Sequence, residues 1–283
     1  MADYPRLPLE VVEQIIDLVA AKTEFLYYKY EDFPSLKACA LVCHSFLALC
    51  RKHIFTYVAL NRRHPDSPTS TSDDLNHLLS NSPHLAVYIR DLDYNFSEKE
   101  FDAKRLPWLS SMFKKLVKLQ VLNISYLRPV IGSKLDWMSS SNRKVLLPLL
   151  HLPTLTSISL CRIRNFALAD LAGCVNLKHL DFWCLECSTG VGKFLEALPA
   201  TPIMLEGLVI EDGNVKLVQR LCHARRPDGK PIIDFSSIKK FKLTTGHLDS
   251  WTEFFGMCRN LHKIELSCMS LPTSYLFIHL TLL

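Results

Sequence analysis

The sequence predicts an α-helical opening unit followed by an α/β region in which parallel strands alternate with helices. Three observations predict that class. Residues 9–20 carry apolar side chains at helical spacing. A short pattern, apolar-x-x-apolar-x-apolar, recurs seven times between Ile89 and Leu266. Segments of helical period separate the recurrences, as internal repetition of one strand–turn–helix unit requires. A chain of 283 residues exceeds one minimal core, and 48% apolar beside 22% charged residues describes a folded chain rather than a disordered one. The boundaries that follow are 1–60 for the helical unit, 61–74 for a linker and 75–283 for the repeating region.

Residues 1–6 read as a loose arm. Pro8 fits the first turn of the opening helix, where a missing amide hydrogen costs nothing, and Glu10 and Glu13 lie near the positive end of its dipole. Leu9, Val11, Val12, Ile15, Ile16, Leu18 and Val19 cover about half of its circumference, although a helix on a single neighbour needs an apolar stripe of only roughly 100°. The surplus calls for a second covering layer, and we expect another chain to supply it. An ordered connector at 23–34 leads to Ser35, a good cap for a second helix at 36–42. A third apolar pattern runs through Phe46, Leu47 and Leu49 and closes on Arg51, Lys52 and His53, cations suited to a helix C-terminus. Ile54-Phe55 and Val58–Leu60 follow as a short apolar tail. Three helices this short are marginal alone.

The run Leu-Pro-x-Glu-Val-Val-x-x-Ile-Ile from Leu7, then Ser35 to Phe46, then Arg51 to Phe55, resembles the F-box, most of all the form found in large fungal families. Phe46 stands where many members carry tryptophan, and the connector before Ser35 is longer than the commonest form. The resemblance implies docking to the Skp-type adaptor of a Skp–cullin–F-box ubiquitin ligase, and through it to a cullin. The adaptor-binding residues it implies are Leu7, Pro8, Val12, Ile16 and Val19 in the first part. In the second they are Leu36, Cys39, Val42, Cys43, Phe46, Ile54 and Phe55, with some of the whole set facing the unit's own core instead.

Residues 62–73 are rich in Pro, Ser and Thr and read as an exposed linker, after which Asp73 or Asp74 can cap a short helix through Leu75, Leu78 and Leu79. The repeating pattern then falls at Ile89/Leu92/Tyr94, Leu119/Leu122/Ile124, Leu155/Ile158/Leu160 and Leu177/Leu180/Phe182. It continues at Leu205/Leu208/Ile210, Ile238/Phe241/Leu243 and Leu261/Ile264/Leu266, with 22 to 36 residues between first members. Each unit ends in alternation of period two, a strand with one buried face. Helical segments are expected at 108–116, 143–150, 193–198, 215–222 and 250–257. Together these units resemble an irregular leucine-rich repeat solenoid. The competing architecture, a doubly wound α/β domain, lacks its usual Gly-x-Gly-x-x-Gly or Walker-type loop here, and Asn176-Leu177 and Asn260-Leu261 favour the solenoid. The stretch 271–283 is apolar where a repeat array ordinarily ends in a polar cap, so we expect a truncated end or one covered by a partner or its own tail.

Few residues point to covalent chemistry. Cys184-x-x-Cys187 has the spacing of half a zinc site without a second close pair, and Cys39 and Cys43 read as packing. The sequence contains no Gly-x-Ser-x-Gly and no His-Glu-x-x-His. His84, His151, His247 and His262 read as surface or loop residues, and Asp181, Glu211 and Asp212 as solvated turns. His223 to Lys230 reads as a protruding basic loop without the interleaved aromatics of a nucleic-acid binder. Ten cysteines without a secretory signal imply reduced thiols and a cytosolic or nuclear setting, and no stretch is long and apolar enough to span a membrane. A net charge of +5 permits an acidic partner without demanding nucleic acid. No metal or cofactor is expected. The expected function is that of a non-catalytic substrate receptor, docked by its helices and holding an unidentified target protein on its repeats. The alternative is a stand-alone repeat scaffold for protein or RNA, with the helices as its cap.

Overall fold

The computed structural model describes residues 8–24, 34–61, 71–96, 106–126, 134–188, 198–211, 215–245, 252–268 and 276–281. Three helices open the chain: α1 (Leu9–Glu24), α2 (Pro34–Ala40) and α3 (His44–Ile54). The second starts at Pro34 rather than after Ser35, because a proline fits the first helical position. It also stops at Ala40, leaving Leu41 and Val42 in a turn instead of its last turn. Arg51, Lys52 and His53 occupy the last turn of α3. Val12, Ile16, Ala20, Leu36 and Cys50 form a small core for this unit. Beside it Lys52 Nζ reaches Glu13 at 2.7 Å and Asp17 at 3.0 Å, and His53 Nε2 lies 2.8 Å from Asp17, so α1 is clasped to α3.

The segment read as an apolar tail is a strand. Tyr57–Leu60 forms β1, and it pairs in parallel with β2 (Asp91–Phe96). Between them lies α4 (Ser72–Asn81), which begins inside the span expected as linker. Its cap is Thr71 rather than Asp73 or Asp74. The Thr71 hydroxyl accepts from the Asp74 amide at 3.2 Å, while the Asp74 carboxylate accepts from the Thr71 amide at 2.8 Å.

The remaining elements alternate: α5 (Leu106–Phe113), β3 (Val121–Tyr126), β4 (Leu135–Asp136), α6 (Asn142–Leu150), β5 (Ser157–Cys161), β6 (Ile163–Arg164), β7 (His179–Trp183), β8 (Ile203–Met204), β9 (Gly207–Glu211), α7 (Val215–His223), β10 (Ile233–Asp234), β11 (Lys240–Thr245), α8 (Thr252–Met257), β12 (Lys263–Cys268) and β13 (Leu276–Thr281). One nine-stranded sheet runs β1-β2-β3-β5-β7-β9-β11-β12-β13. Its order follows the chain without a reversal, which a doubly wound sheet would show at its switch point. Eight strands are parallel. The last, β13, lies antiparallel on β12 and accounts for part of the apolar stretch 271–283. The helix expected at 193–198 falls largely outside the described residues.

Register ties the repeats to the core. Val58, Leu92, Leu122, Ile158, Leu180, Leu208, Phe241 and Ile264 stand side by side across eight strands. Leu60, Tyr94, Ile124, Leu160, Phe182, Ile210, Leu243 and Leu266 form the next column. All twenty-one positions of the predicted pattern are buried, apart from the half-buried Leu266. They pack with Leu75, Leu109, Met112, Leu146, Leu149, Leu217, Leu221 and Phe254 of the intervening helices in one continuous core. Each strand also begins the same way. Gln120 and Val121 both donate to the Arg90 carbonyl, Thr156 and Ser157 to that of Gln120, and Lys178 and His179 to that of Thr156. The step repeats through Glu206, Gly207, Lys239, Lys240, His262 and Lys263. Asn176 and Asn260 donate to the carbonyls of Pro153 and Ser236, 2.7 and 2.9 Å away, stitching a turn to the unit before it.

A buried polar knot fixes the loops beyond the strands. Asp170 accepts from Trp137 Nε1 at 2.7 Å and from Arg143 Nε and Nη2 at 2.8 and 2.7 Å. His151, expected at the surface, is half-buried, with Nε2 2.7 Å from the Asp170 carbonyl. Arg226, expected on a protruding loop, is buried and reaches Thr201 O and Asp228, both at 3.1 Å. No helix among the described residues is long and apolar enough to cross a membrane.

Candidate functional site

Two surfaces stand out, one on each region. The first follows from the over-wide apolar face of α1. Val12, Ile16 and Ala20 turn inward, while Val11, Ile15 and Leu18, at i, i+4 and i+7, form a second stripe that faces water. Leu18 is 66% exposed, and in the turn after α2 Leu41 and Val42 reach 88% and 67%. Single exposed aliphatics are ordinary on protein surfaces, but a helical stripe of them is an interaction signal.

The residues that the resemblance implies for adaptor contact divide three ways. Val12, Ile16 and Leu36 fill the unit's own core and have no surface to offer. Val19, Cys39, Phe46 and Ile54 are half-buried against that core, and Phe55 packs instead on the core of the sheet. Pro8, Val42 and Cys43 are exposed, so Cys43 does not pack as its spacing from Cys39 suggests. Leu7 lies outside the described residues. Leu9, Val11, Ile15, Leu18 and Leu41 are exposed and absent from the implied set. Their signal is in the sequence, because once one side of a wheel is assigned inward, the apolar residues left over mark the outward side.

The second surface is the face of the sheet opposite the helices. Alternation sends polar residues there, in columns such as Ser157, His179, Gly207, Lys240 and Lys263. A half-open cavity of about 310 Å³ lies between β5 and β12, lined by His179, Asp181, Gly207, Lys240, Lys242 and Lys263 among others. Gly207 lets the His179 ring lie close over its backbone, since a Cβ there would stand 2.7 Å from His179 Nδ1. Trp183, 44% exposed, projects from the same face beyond Asp181.

The charges on this face are largely matched. Lys242 pairs with Glu211 at 2.5 Å, Lys263 with Glu265 at 2.5 Å, and Glu206 with both Lys178 and Lys239 at 2.9 and 3.0 Å. The two lysines hold the Glu206 carboxyl down at about 2. Asp181 differs. Burial, reinforced by Glu211, pushes its carboxyl up to about 6, and Oδ1 has no hydrogen-bond partner. Asp181 and Glu211, expected as separate solvated turns, thus lie on the adjacent strands β7 and β9, while Asp212 is outside the described residues.

Cys184 and Cys187 form a corner rather than half of a cluster. Cys184 takes a left-handed backbone (φ 51°), as Arg162 does (φ 56°) at the equivalent position after β5. Cys187 is buried, in a bridge to Phe166. Among the described residues no group of three or more His, Cys, Asp or Glu is placed to hold a metal. No known protein family, curated protein or solved structure matches this chain at a significant level.

Proposed function

We propose that this chain is a non-catalytic substrate receptor of the F-box type, with a leucine-rich repeat-like region that captures a target protein. The observation that carries the proposal is the uncovered stripe Val11, Ile15 and Leu18 on α1, with Leu41 and Val42 after α2. The Leu-Pro-led motif predicts this unit as a docking module, and a docking module needs greasy surface that its own chain leaves open. Covering these five side chains contributes roughly 5 kcal/mol. That only matches the lower part of the association cost of about 4–15 kcal/mol, so the adaptor also has to engage flanking groups such as Pro8 and Leu9. Target capture is supported by the one-way parallel sheet, which repeats a single strand–helix unit and leaves a broad polar face open. Bound there, a target would be held close to the ligase's conjugating enzyme, a gain in effective concentration rather than covalent chemistry by this chain.

The alternative, a repeat scaffold capped by its own helices, draws support from β1, which joins α3 directly to the sheet, and from Phe55 packed on the sheet core. A cap of that kind has no use for the exposed stripe, which is why we favour the receptor. Replacing Val11 and Ile15 together by Asp changes exposed positions and leaves the fold intact. Co-purification with the Skp-type adaptor is then expected to disappear. A folded double variant that still co-purifies overturns the proposal.

A further inference from the structure

We propose that the cavity on the open face of the sheet seats a carboxylate side chain from an acidic segment of the captured protein, held between Lys240 and Lys263. The inference rests on the reading of that face as the target-binding surface. It starts from a local conflict. Lys240 and Lys263 stand directly opposite each other on β11 and β12, side chains on the same face. Like charges so placed destabilise a sheet. Glu265 relieves Lys263, but Lys240 makes no ion pair with a described residue. An anion between the two ammonium groups removes the repulsion, and the cavity they line admits it.

The rest of the face selects among anions. Asp91 of β2 ends the row of residues that contains Lys240 and Lys263, so positive charge does not run across the sheet. That disfavours nucleic acid and suits a protein segment with acidic residues at one end. Exposed Trp183 beside the cavity offers such a segment an apolar anchor.

Asp181 sets the conditions for binding. Its Oδ1 is closed off from solvent and unpartnered, so a ligand cation does not reach it, whereas a proton neutralises it. Around it stand Glu211 of β9, Lys242 of β11, the hydroxyl of Ser159 and the thiol of Cys161 on β5, and His179 on its own strand. With its carboxyl raised to about 6, Asp181 opposes an incoming carboxylate above that pH and ceases to oppose it below. Binding of an acidic segment therefore strengthens as pH falls through about 6.

The test uses the full chain without adaptor and a fluorescein-labelled hexaglutamate peptide, read by anisotropy at low salt, with hexalysine and inorganic phosphate as competing probes. Hexaglutamate is expected to bind. Lys240→Ala should weaken it about two- to fivefold, the range of one exposed ion pair. Asp181→Asn should strengthen it and flatten its dependence on pH above about 5. Preference for hexalysine, displacement by equimolar phosphate, or unchanged hexaglutamate binding in both variants overturns the proposal. Adaptor co-purification depends on α1 and not on Lys240, so failure here and failure of the docking assignment are separate results.

Discussion

The helical unit and the sheet solve the same problem with very different resources. The sheet buries its apolar residues in columns, each inner strand covered by two neighbours and a layer of helices. Among the described residues, the unit α1–α3 closes over five buried residues. Of the twelve large hydrophobic residues exposed among the described residues, six, Leu9, Val11, Ile15, Leu18, Leu41 and Val42, belong to this unit, although it is by far the smaller region. Small units bury a smaller fraction of their surface, but size alone does not align the remainder on one helix at i, i+4 and i+7. The difference teaches that the sheet covers most of its own apolar surface, whereas the helical unit leaves an aligned stripe of its own facing water.

The sharpest way to break this comparison is to damage each core by the same kind of truncation. Phe182 is fully buried in the central strand β7, between Leu160 and Ile210. Phe182→Ala is expected to cost about 3–5 kcal/mol and to lower the urea midpoint of the whole sheet in one cooperative step. If β7 amides alone lose hydrogen-exchange protection, the sheet is not one unit. Ile16 is also fully buried, but in the small core. Ile16→Ala should cost about 2–4 kcal/mol and release amides of α1 and α2 while those of β5 to β9 stay protected. Release of both sets together would mean that the two cores are a single one. Against these, Val11→Asp on the exposed stripe should change the stability measured in urea by no more than about 0.5 kcal/mol.

Much of this was legible in the sequence, for a physical reason. A strand buried on one face has a period of two, and a unit repeated seven times shows that period seven times. The three apolar positions from Ile89/Leu92/Tyr94 to Leu261/Ile264/Leu266 were therefore readable before any coordinates, and so were α1, α3 and most of the helices between strands. Pairing between distant residues was not. Asp181 and Glu211 are thirty residues apart and meet only because β7 and β9 are neighbours. The same holds for Asp170 with Arg143 and Trp137, a knot that the local pattern around each residue does not announce. On α1 the sequence showed too much apolar surface but not which half turned inward. Ile15 and Ile16 are the same residue type in adjacent positions, yet one faces water and the other is fully buried. Ile16 packs in the small core with Leu36 and Cys50, and the clasp of Glu13 and Asp17 to Lys52 and His53 joins α1 to α3 in that orientation.

A smaller effect probes the junction between the regions. Asp74 closes the reciprocal cap of α4, whose Leu75 and Leu79 belong to the sheet core, and its carboxyl is held below the usual range by the Thr71 amide and hydroxyl. Asp74→Ala should cost about 1 kcal/mol, with the loss confined to the helix end. A cost above about 2 kcal/mol would show that α4 anchors the first strands rather than merely covering them.

A further small effect belongs to the clasp. Hydrogen bonds from Lys52 and then His53 hold the Asp17 carboxyl below 3.8, and the same pairing, first with Glu13, raises the Lys52 ammonium above 10.5. A lowered carboxyl contributes stability that is present above its unfolded value and lost as pH falls through the folded one. A raised ammonium contributes below its unfolded value and loses its share only as pH climbs through the folded one. The Asp17–Lys52 pairing is therefore constant across neutral pH and fails at both extremes. Asp17 is half exposed, so screening limits Asp17→Asn to less than about 1 kcal/mol. The measurement is the difference in urea midpoint between parent and variant at pH about 7 and again at about 2.5. The difference should shrink at the lower pH, where the parent's carboxyl is protonated too. If it persists there, Asp17 acts on α1 through packing or the helix dipole, and the clasp is not what turns Val11, Ile15 and Leu18 towards water.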